Sequence, residues 1–202
     1  YAGQQPKYTA EDIELFRNGT DPWGHPNTDW YRATFEPVAN QHQTNLTISG
    51  GQEYISYHLS AAYDKQDAIY KNSATTFNQY NFRANLNGKL NTYIKYGVNA
   101  ALREVNRNYP TRSASDIFTM LRRGKPNMHA YWPTGENGPD IEYGNNPVVV
   151  TTNQTGYDRN KSTVLESRAN IEISNPWIEG LSLSGNVALD RTNQNNKLWQ
   201  TP

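Results

Sequence analysis

Apolar side chains fall on every second position in six stretches between about residues 41 and 190. In the third stretch, one face carries Tyr80, Phe82, Ala84 and Leu86. The other face carries Gln79, Asn81, Arg83, Asn85 and Asn87. Because the side chains of a β-strand alternate between two faces, this pattern predicts six strands of roughly ten residues, each with one apolar and one polar face.

The predicted strands are joined alternately by short and by long connections. The short ones are residues 50–53, 91–93 and 175–180, and the long ones are residues 64–76 and 107–162. Short connections join antiparallel neighbours. Tight turns at one end of the strands and large loops at the other are typical of outer-membrane barrels. The pattern therefore predicts an all-β, antiparallel segment of a transmembrane β-barrel.

The composition is lean for a conventional hydrophobic core. Of the 202 residues 35% are hydrophobic, and the mean hydropathy is -0.90. A membrane barrel tolerates this composition because only its lipid-facing side chains must be apolar. A soluble β-sandwich also alternates apolar and polar positions, so a soluble carbohydrate-binding sandwich module is the alternative. The long connection at residues 107–162 favours the barrel, since a loop of this length is uncommon in a compact domain.

Composition and residue spacing also exclude several classes of function. The chain has 19 basic and 19 acidic residues, which leaves no basic footprint for nucleic acid. It has no cysteine, and its four histidines are far apart in the sequence. Acidic residues of one loop, Glu136, Asp140 and Glu142, have no fixed separation that would define a glycosidase pair. We therefore expect no enzymatic activity, no metal site and no cofactor.

The first forty residues differ from the rest and are expected to form a loop with a short helix. Thr9 and Asp12 have the spacing of a capping box, residues 10–17 favour a helix, and Gly19 can end it. Turn-forming residues follow at positions 21–27. We divide the chain into residues 1–40, a loop, and residues 41–202, barrel strands and loops.

Six short motifs stand out along the chain: DIE at 12–14, NGTDPW at 18–23, PNTDWY at 26–31, QHQTNLTISGG at 41–51, YNFRANL at 80–86 and GNNP at 144–147. Together they resemble the SusC/RagA family of TonB-dependent outer-membrane transporters of Bacteroidetes. The motifs follow the order of the family and extend over nearly the whole chain. The resemblance implies an internal segment of a 22-stranded barrel, covering about six strands, with the plug and the remaining strands outside this chain.

The resemblance also implies partners and a location. A SusD-like surface lipoprotein would act as a lid over extracellular loops, and the TonB complex would act through the plug. The cargo would be an oligosaccharide or a peptide, and outer-membrane lipid would surround the wall. The long loops, including residues 1–40, would then be extracellular and the short turns periplasmic.

Two groups of residues are candidates for contact with the cargo. Residues 122–150 offer aromatic rings beside amides, namely Tyr131, Trp132, Tyr143, Asn145 and Asn146. The polar strand faces offer Arg83, Asn85 and Arg103. Structural roles are the alternative for both groups: the aromatics could pack the loop against itself or a lid, and the charged residues could form cross-strand ion pairs or contact a plug.

Overall fold

A computed structural model describes residue 3 and residues 6–201 of the chain. Six antiparallel strands form one sheet in chain order. They are β1 (Gln41–Gln52), β2 (Ile55–Asp67), β3 (Thr76–Lys89), β4 (Ile94–Tyr109), β5 (Gly156–Ser174) and β6 (Ser182–Gln200). The helices are α1 (Ala10–Asn18), α2 (Trp30–Thr34), α3 (Ala114–Arg123) and α4 (Pro147–Val150), with a 3-10 turn at Asn153–Thr155. None of these helices is long and apolar enough to cross a membrane.

Across β1 to β5 the register places apolar rows and mainly polar rows on opposite faces of the sheet. One cross-strand row runs through Leu46, Ala61, Phe82, Leu102 and Leu165. The neighbouring row runs through Thr47, Ser60, Arg83, Ala101 and Glu166 and lies on the opposite side of the sheet. The sheet thus has an apolar face and a polar face, which confirms the alternation predicted from the sequence.

The apolar face is not covered by a second layer. Large side chains of this face are exposed, from Leu46 on β1 (61%) to Leu183 on β6 (73%). Within the described residues, the outer edges of β1 and β6 also pair with no further strand. A sandwich would require a second sheet here, whereas a barrel wall would meet lipid and neighbouring strands.

Several strands extend further than the alternation indicated. Residues 107–109 and 156–162, assigned to the long loop from the sequence, lie in β4 and β5, and β6 continues to Gln200. Near these ends polar residues occupy both faces, for example Asn195 and Asn196 on β6. Alternation disappears where neither face is apolar, but the backbone ladder continues because it needs no apolar side chain.

Asparagine side chains close two of the three short turns in the same way. The Asn91 carboxamide oxygen accepts hydrogen bonds from the backbone N–H groups of Tyr93 and Ile94, at 2.8 and 2.9 Å. Asn175 accepts from Trp177 and Ile178 at 2.7 and 3.0 Å. We call this end of the strands the turn end, and the end that carries residues 6–40, 68–75 and 110–155 the loop end.

A hydrophobic cluster forms within the segments at the loop end rather than against the sheet. This loop core consists of Trp30, Ile117, Met120, Leu121, Ala130, Ile141, Val148 and Val150. The indole N–H of Trp30 also donates to the carbonyl of Lys125 at 2.9 Å. The segment before β1 and the connection between β4 and β5 are therefore packed together, and helices α2 to α4, which the sequence analysis did not predict, belong to this unit.

Asn146 connects the polar backbone of the loop core. It is 1% exposed, and its amide nitrogen donates to the carbonyls of Ala130 and Gly138, at 2.9 and 3.1 Å. Its side-chain oxygen accepts from the N–H of Val148 at 3.1 Å and caps α4. One side chain therefore satisfies three backbone groups, two of which belong to a different part of the loop.

The N-terminal helix has the predicted capping signals. Thr9 and Asp12 form a reciprocal capping box, and Gly19 ends α1 in the left-handed conformation with φ 66°. Beyond the helix, the two ring nitrogens of His25 contact carboxylates of Asp21 at 2.8 Å and Asp12 at 3.1 Å. The imidazole thus joins the turn that follows α1 to its first turn.

These contacts shift the ionisation of all three groups. The hydrogen bond to Asp21 is the largest cause that raises the pKa of His25 above its ordinary 6.5. The pKa of Asp12 is lowered, first by the hydrogen bond from the Thr9 backbone, and that of Asp21 is lowered, first by His25.

We expect Asn146→Ala to loosen the loop core. The substitution leaves two buried carbonyls without a donor and α4 without its cap, which costs about 1–3 kcal/mol of local opening free energy. Hydrogen exchange of residues 138–152 in the full-length protein would measure this change. Asn146→Asp keeps the capping oxygen but loses the N–H donors, so residues 138–152 should exchange almost as fast as in Asn146→Ala. Asn137→Ala, which removes one exposed contact to Gln154, is the control. Equal protection in all three variants would contradict the assigned role.

The N-terminal segment should be best ordered in mildly acidic solution. The contribution of His25 is fully present below its unfolded pKa of about 6.5 and is lost as the pH rises through its higher folded pKa. The contributions of Asp12 and Asp21 are lost as the pH falls through their lowered pKa values. Amide protection of residues 9–25, corrected for intrinsic rates, should therefore fall as the pH rises above about 6.5. His25→Gln should remove this dependence, and a flat wild-type profile would refute it.

Candidate functional site

The predicted aromatic residues of the long loop do not form one continuous surface. Trp132 stacks on Trp23 with ring centroids 6.0 Å apart and contacts His129 at 4.4 Å. His129 Nε2 lies 2.9 Å from the carbonyl of Pro22. Trp132 thus joins the long loop to the segment before β1, which agrees with the alternative of loop packing. Trp23 is 57% exposed, so its ring remains accessible to a ligand.

Tyr143 is the predicted loop residue with the most accessible ring. It is 64% exposed, whereas Tyr131 is half-buried and packs on the loop core. Asn145 accepts a hydrogen bond from Arg112 at 3.0 Å and lies 3.4 Å from an Asp140 oxygen. Its carboxamide is therefore oriented by other loop residues and remains partly accessible.

Asn146 differs from the other candidates because it is buried. Its nitrogen and oxygen are engaged with backbone groups of the loop core, as described above. A ligand could reach it only if the loop core opened. We therefore assign Asn146 a positioning role beneath Tyr143 and Asn145 rather than a place on the binding surface.

A salt bridge borders the Tyr143 side of the loop. Lys125 and Glu142 are in direct contact, and about half of each side chain is exposed. The hydrogen bond to Glu142 is the main cause that raises the pKa of Lys125, and Lys125 in turn lowers the pKa of Glu142. Both groups are consequently charged near neutral pH, so the ring of Tyr143 is flanked by a neutralised pair.

The second group of candidates lies on the polar face of the sheet. Arg83 and Arg103 belong to neighbouring cross-strand rows and border a groove of about 520 Å³ with Asn45, Asn81 and Glu166. Small residues such as Ser60, Ala62 and Ala101 form part of its lining. They leave space between the guanidinium groups and the carboxylate, so the groove offers donors, acceptors and both signs of charge.

An adjoining groove of about 330 Å³ continues along the polar face. Asn85 and Arg83 line it together with Glu166, Arg168 and Asp190. Glu166 and Asp190 are directly opposite each other on β5 and β6, a destabilising arrangement for two carboxylates unless a cation approaches. Among the described residues, no salt bridge involves Arg83, Arg103, Arg168, Glu166 or Asp190.

This finding bears on the structural alternative for the polar face. The cross-strand ion pair that forms on it joins Lys95 and Glu172 at 3.1 Å near the turn end, away from the candidate residues. The candidate charges thus remain available to a plug or a ligand. The sequence identified these candidates because they occupy the polar face of predicted strands. Only the strand register in the structure showed that the charged ones form no ion pairs.

The two groups of candidates lie at different depths. Arg83 is seven positions from the loop end of β3, and Arg103 is six positions from that of β4. At about 3.3 Å per residue they lie roughly 20–23 Å along the strands from the loop end, which is a depth of about 15–18 Å at a tilt near 40°. The loop aromatics therefore flank the entrance of the polar surface, and the arginines lie along its wall.

No protein-family model matches the chain. A curated protein has a similar sequence over part of its length. The chain is 35% identical over 99 residues to TonB-dependent receptor P26 of Formosa agariphila. The match covers 46% of this chain and 10% of that protein.

The structural comparison finds the same architecture in a transporter. The chain superposes on the RagAB peptide importer in its closed-closed state with a TM-score of 0.70, at 20% identity, over 100% of this chain and 24% of that one. A second RagAB peptide transporter structure gives a TM-score of 0.66 at 19% identity, with 94% and 24% coverage. The chain thus spans about a quarter of these structures. Sequence and fold together confirm its resemblance to TonB-dependent transporters of the SusC/RagA type.

Proposed function

We propose that this chain is part of the barrel wall of a TonB-dependent transporter in the outer membrane. The observation that carries the proposal is the uncovered apolar face, which lies opposite a polar face on one sheet with the fold of the RagAB transporter. In a barrel of about 22 strands, the apolar face meets lipid and the polar face lines the lumen. The long loops are then extracellular and the short turns periplasmic.

The transporter takes up oligosaccharides or peptides together with a SusD-like lipoprotein. The RagAB structures are described as those of a peptide importer, which supports both a two-component assembly and a peptide as one class of cargo. The loop aromatics and the asparagine-rich wall suit an oligosaccharide equally well, because rings stack on sugar faces and amides bind hydroxyl groups. Energy comes from the TonB complex through a plug outside this chain.

The surface that contacts the cargo comprises two parts. At the entrance, Tyr143 and Asn145 face the cargo as the lid closes, while Trp132 and Tyr131 pack the loop that carries them. Along the wall, Arg83, Asn85 and Arg103 bind its polar groups. Uncompensated charge supports the wall site, since groups of both signs border one groove without making salt bridges to other described residues.

Labels on neighbouring residues of β3 test the assignment of the two faces. In the full-length protein in outer membranes, a spin label at Leu86→Cys should relax faster with oxygen, which concentrates in lipid. A label at Asn85→Cys, on the opposite face of the same strand, should respond instead to a water-soluble reagent or be shielded by the plug. Reversed accessibilities would refute the barrel orientation, and a label at position 86 that neither oxygen nor the water-soluble reagent reaches would favour the soluble sandwich.

Removing the Tyr143 ring should weaken uptake. In cells that depend on the cargo, Tyr143→Ala should raise the concentration needed for half-maximal uptake by about three- to tenfold, because a stacked ring contributes about 0.5–1.5 kcal/mol. Tyr54→Ala is the matched control, since Tyr54 is similarly exposed (60%) but lies at the turn end. If Tyr143→Ala and Tyr54→Ala take up the cargo equally well, Tyr143 does not belong to the binding surface.

A further inference from the structure

The apolar face ends in a row of tyrosines on the side of the loop end. The last row with apolar residues on five strands contains Leu46, Ala61, Phe82, Leu102 and Leu165. The next row of this face contains Tyr63 and Tyr80, whose rings stack at 5.0 Å. Tyrosine side chains prefer the boundary between hydrocarbon and head groups. In a membrane, this row therefore lies at the head-group level.

Around this boundary, β5 and β6 carry four cations on the same face, one of them beside the last apolar row and three of them beyond it. They are Arg159, Lys161, Arg191 and Lys197, and all four side chains are exposed. The register places Arg191 beside Leu165 and Lys197 beside Arg159. We call these four residues the basic patch. The corresponding part of β2 carries Lys65 and Asp67, which form a salt bridge at 3.3 Å, so the excess of positive charge is confined to β5 and β6.

The basic patch is only partly neutralised. Glu104, on the same face of β4, lies 2.9 Å from the ammonium group of Lys161. Asp158 and Asp190 alternate to the polar face and cannot reach the patch from there. In the part of the chain that the structure describes, Arg159, Arg191 and Lys197 have no acidic partner within 4.0 Å. An anion near this face would therefore be attracted by positive charges that no described acidic residue neutralises.

Two of the cations are held close together. Arg159 and Lys197 are direct cross-strand neighbours, and like charges in that arrangement destabilise a sheet. Both lie over the ring of Tyr157, with distances to its centroid of 4.1 and 5.8 Å. The ring, in turn, contacts Trp199 at 5.9 Å. The aromatic pair thus orients two cations that only an anion from outside the described chain could neutralise.

An apolar groove lies on the same face, mainly on β2 to β4, and reaches β5 at Leu165. Its volume is about 380 Å³, and it runs over Ala61, Ala84 and Ala100 between larger side chains such as Phe82 and Leu165. Leu165 is also the cross-strand neighbour of Arg191. The groove therefore meets the positive charges at its β5 edge.

We propose that this outer surface of β3 to β6 binds a phosphate-bearing lipid of the leaflet that faces the loop end. The acyl chains lie against the alanine-floored groove, and the phosphate groups lie among Arg159, Lys161, Arg191 and Lys197. The inference rests on the proposed function, since it requires that the apolar face meets lipid. A soluble anion would use the charges but leave the adjoining groove without an occupant, so a lipid fits both parts.

The dimensions agree with this arrangement. Lys161 is four positions beyond Leu165, which is about 13 Å along the strand and about 10 Å in height at a tilt near 40°. The head-group region extends roughly 5–8 Å beyond the hydrocarbon on each side. Arg191 lies at the border, and Lys161 lies about 10 Å above it, at the outer edge of the head-group region. Arg159 and Lys197 are six positions from the Leu165 row, about 20 Å along the strand and about 15 Å in height, so their long side chains extend back toward the bilayer to meet the phosphate groups.

The test measures lipid binding by the full-length transporter in nanodiscs of zwitterionic lipid. The probes are lipid A with its phosphates and the same lipid after dephosphorylation, titrated separately. The wild-type protein should prefer the phosphorylated form by about tenfold or more, since each Lys or Arg near an anionic surface contributes several-fold to affinity. This comparison needs no variant, so it does not depend on the folding of a mutant.

A triple variant locates the site. Arg159→Gln with Lys161→Gln and Lys197→Gln should lose most of the preference, whereas Arg107→Gln with Arg168→Gln should keep it. The control residues are cations of β4 and β5 on the polar face. Inorganic phosphate at millimolar concentration should not displace the lipid.

Three outcomes would overturn the proposal: equal affinity for the two lipid forms, an unchanged preference in the triple variant, or displacement by inorganic phosphate. Heat-modifiable migration of the same samples reports barrel formation separately. A folded barrel without lipid preference would refute the lipid site and leave the transporter function intact. A protein that never enters the outer membrane would refute the proposed function itself.

Discussion

The backbone ladder that joins six strands in one fixed register is the interaction on which the rest of the structure depends. Backbone groups within lipid must be paired inside the protein, and a continuous ladder achieves this for every strand except at the two open edges. Because side chains alternate across the ladder, a shift of one residue would exchange the two faces of a strand. The same register therefore decides which residues lie on the apolar face and which on the polar face, and so which ones meet lipid in the proposed barrel.

The loops depend on a different kind of interaction. The hydrophobic cluster around Ile117 and Val150 is the main buried core of the described chain, and it lies beyond the strand ends. Trp30 brings the segment before β1 into this core, and Asn146 satisfies the backbone where the loop turns. Exposed residues such as Tyr143 are thus held by a small folded unit rather than by a flexible connection.

The distribution of charge links the wall to its surroundings. On the polar face, carboxylates and guanidinium groups lie near one another without forming ion pairs, so their charges are free to bind a molecule from outside the described residues. On the opposite face, positive charge collects beside the apolar band on β5 and β6. One sheet thus presents two chemically distinct surfaces. Each carries charged side chains without an ion-pair partner among the described residues, which a neighbouring molecule can neutralise.

The sequence by itself determined the six strands, their two faces and the N-terminal capping box, because alternation and capping are local patterns of a few residues. It also identified Arg83, Asn85, Arg103 and the aromatic loop as candidates. Only the tertiary structure decided that Asn146 is buried, that Trp132 stacks on Trp23, and that Arg159 lies beside Lys197. Each of these facts depends on contacts between distant segments. The strand ends also required the structure, since the backbone ladder continues where polar residues occupy both faces and alternation gives no signal.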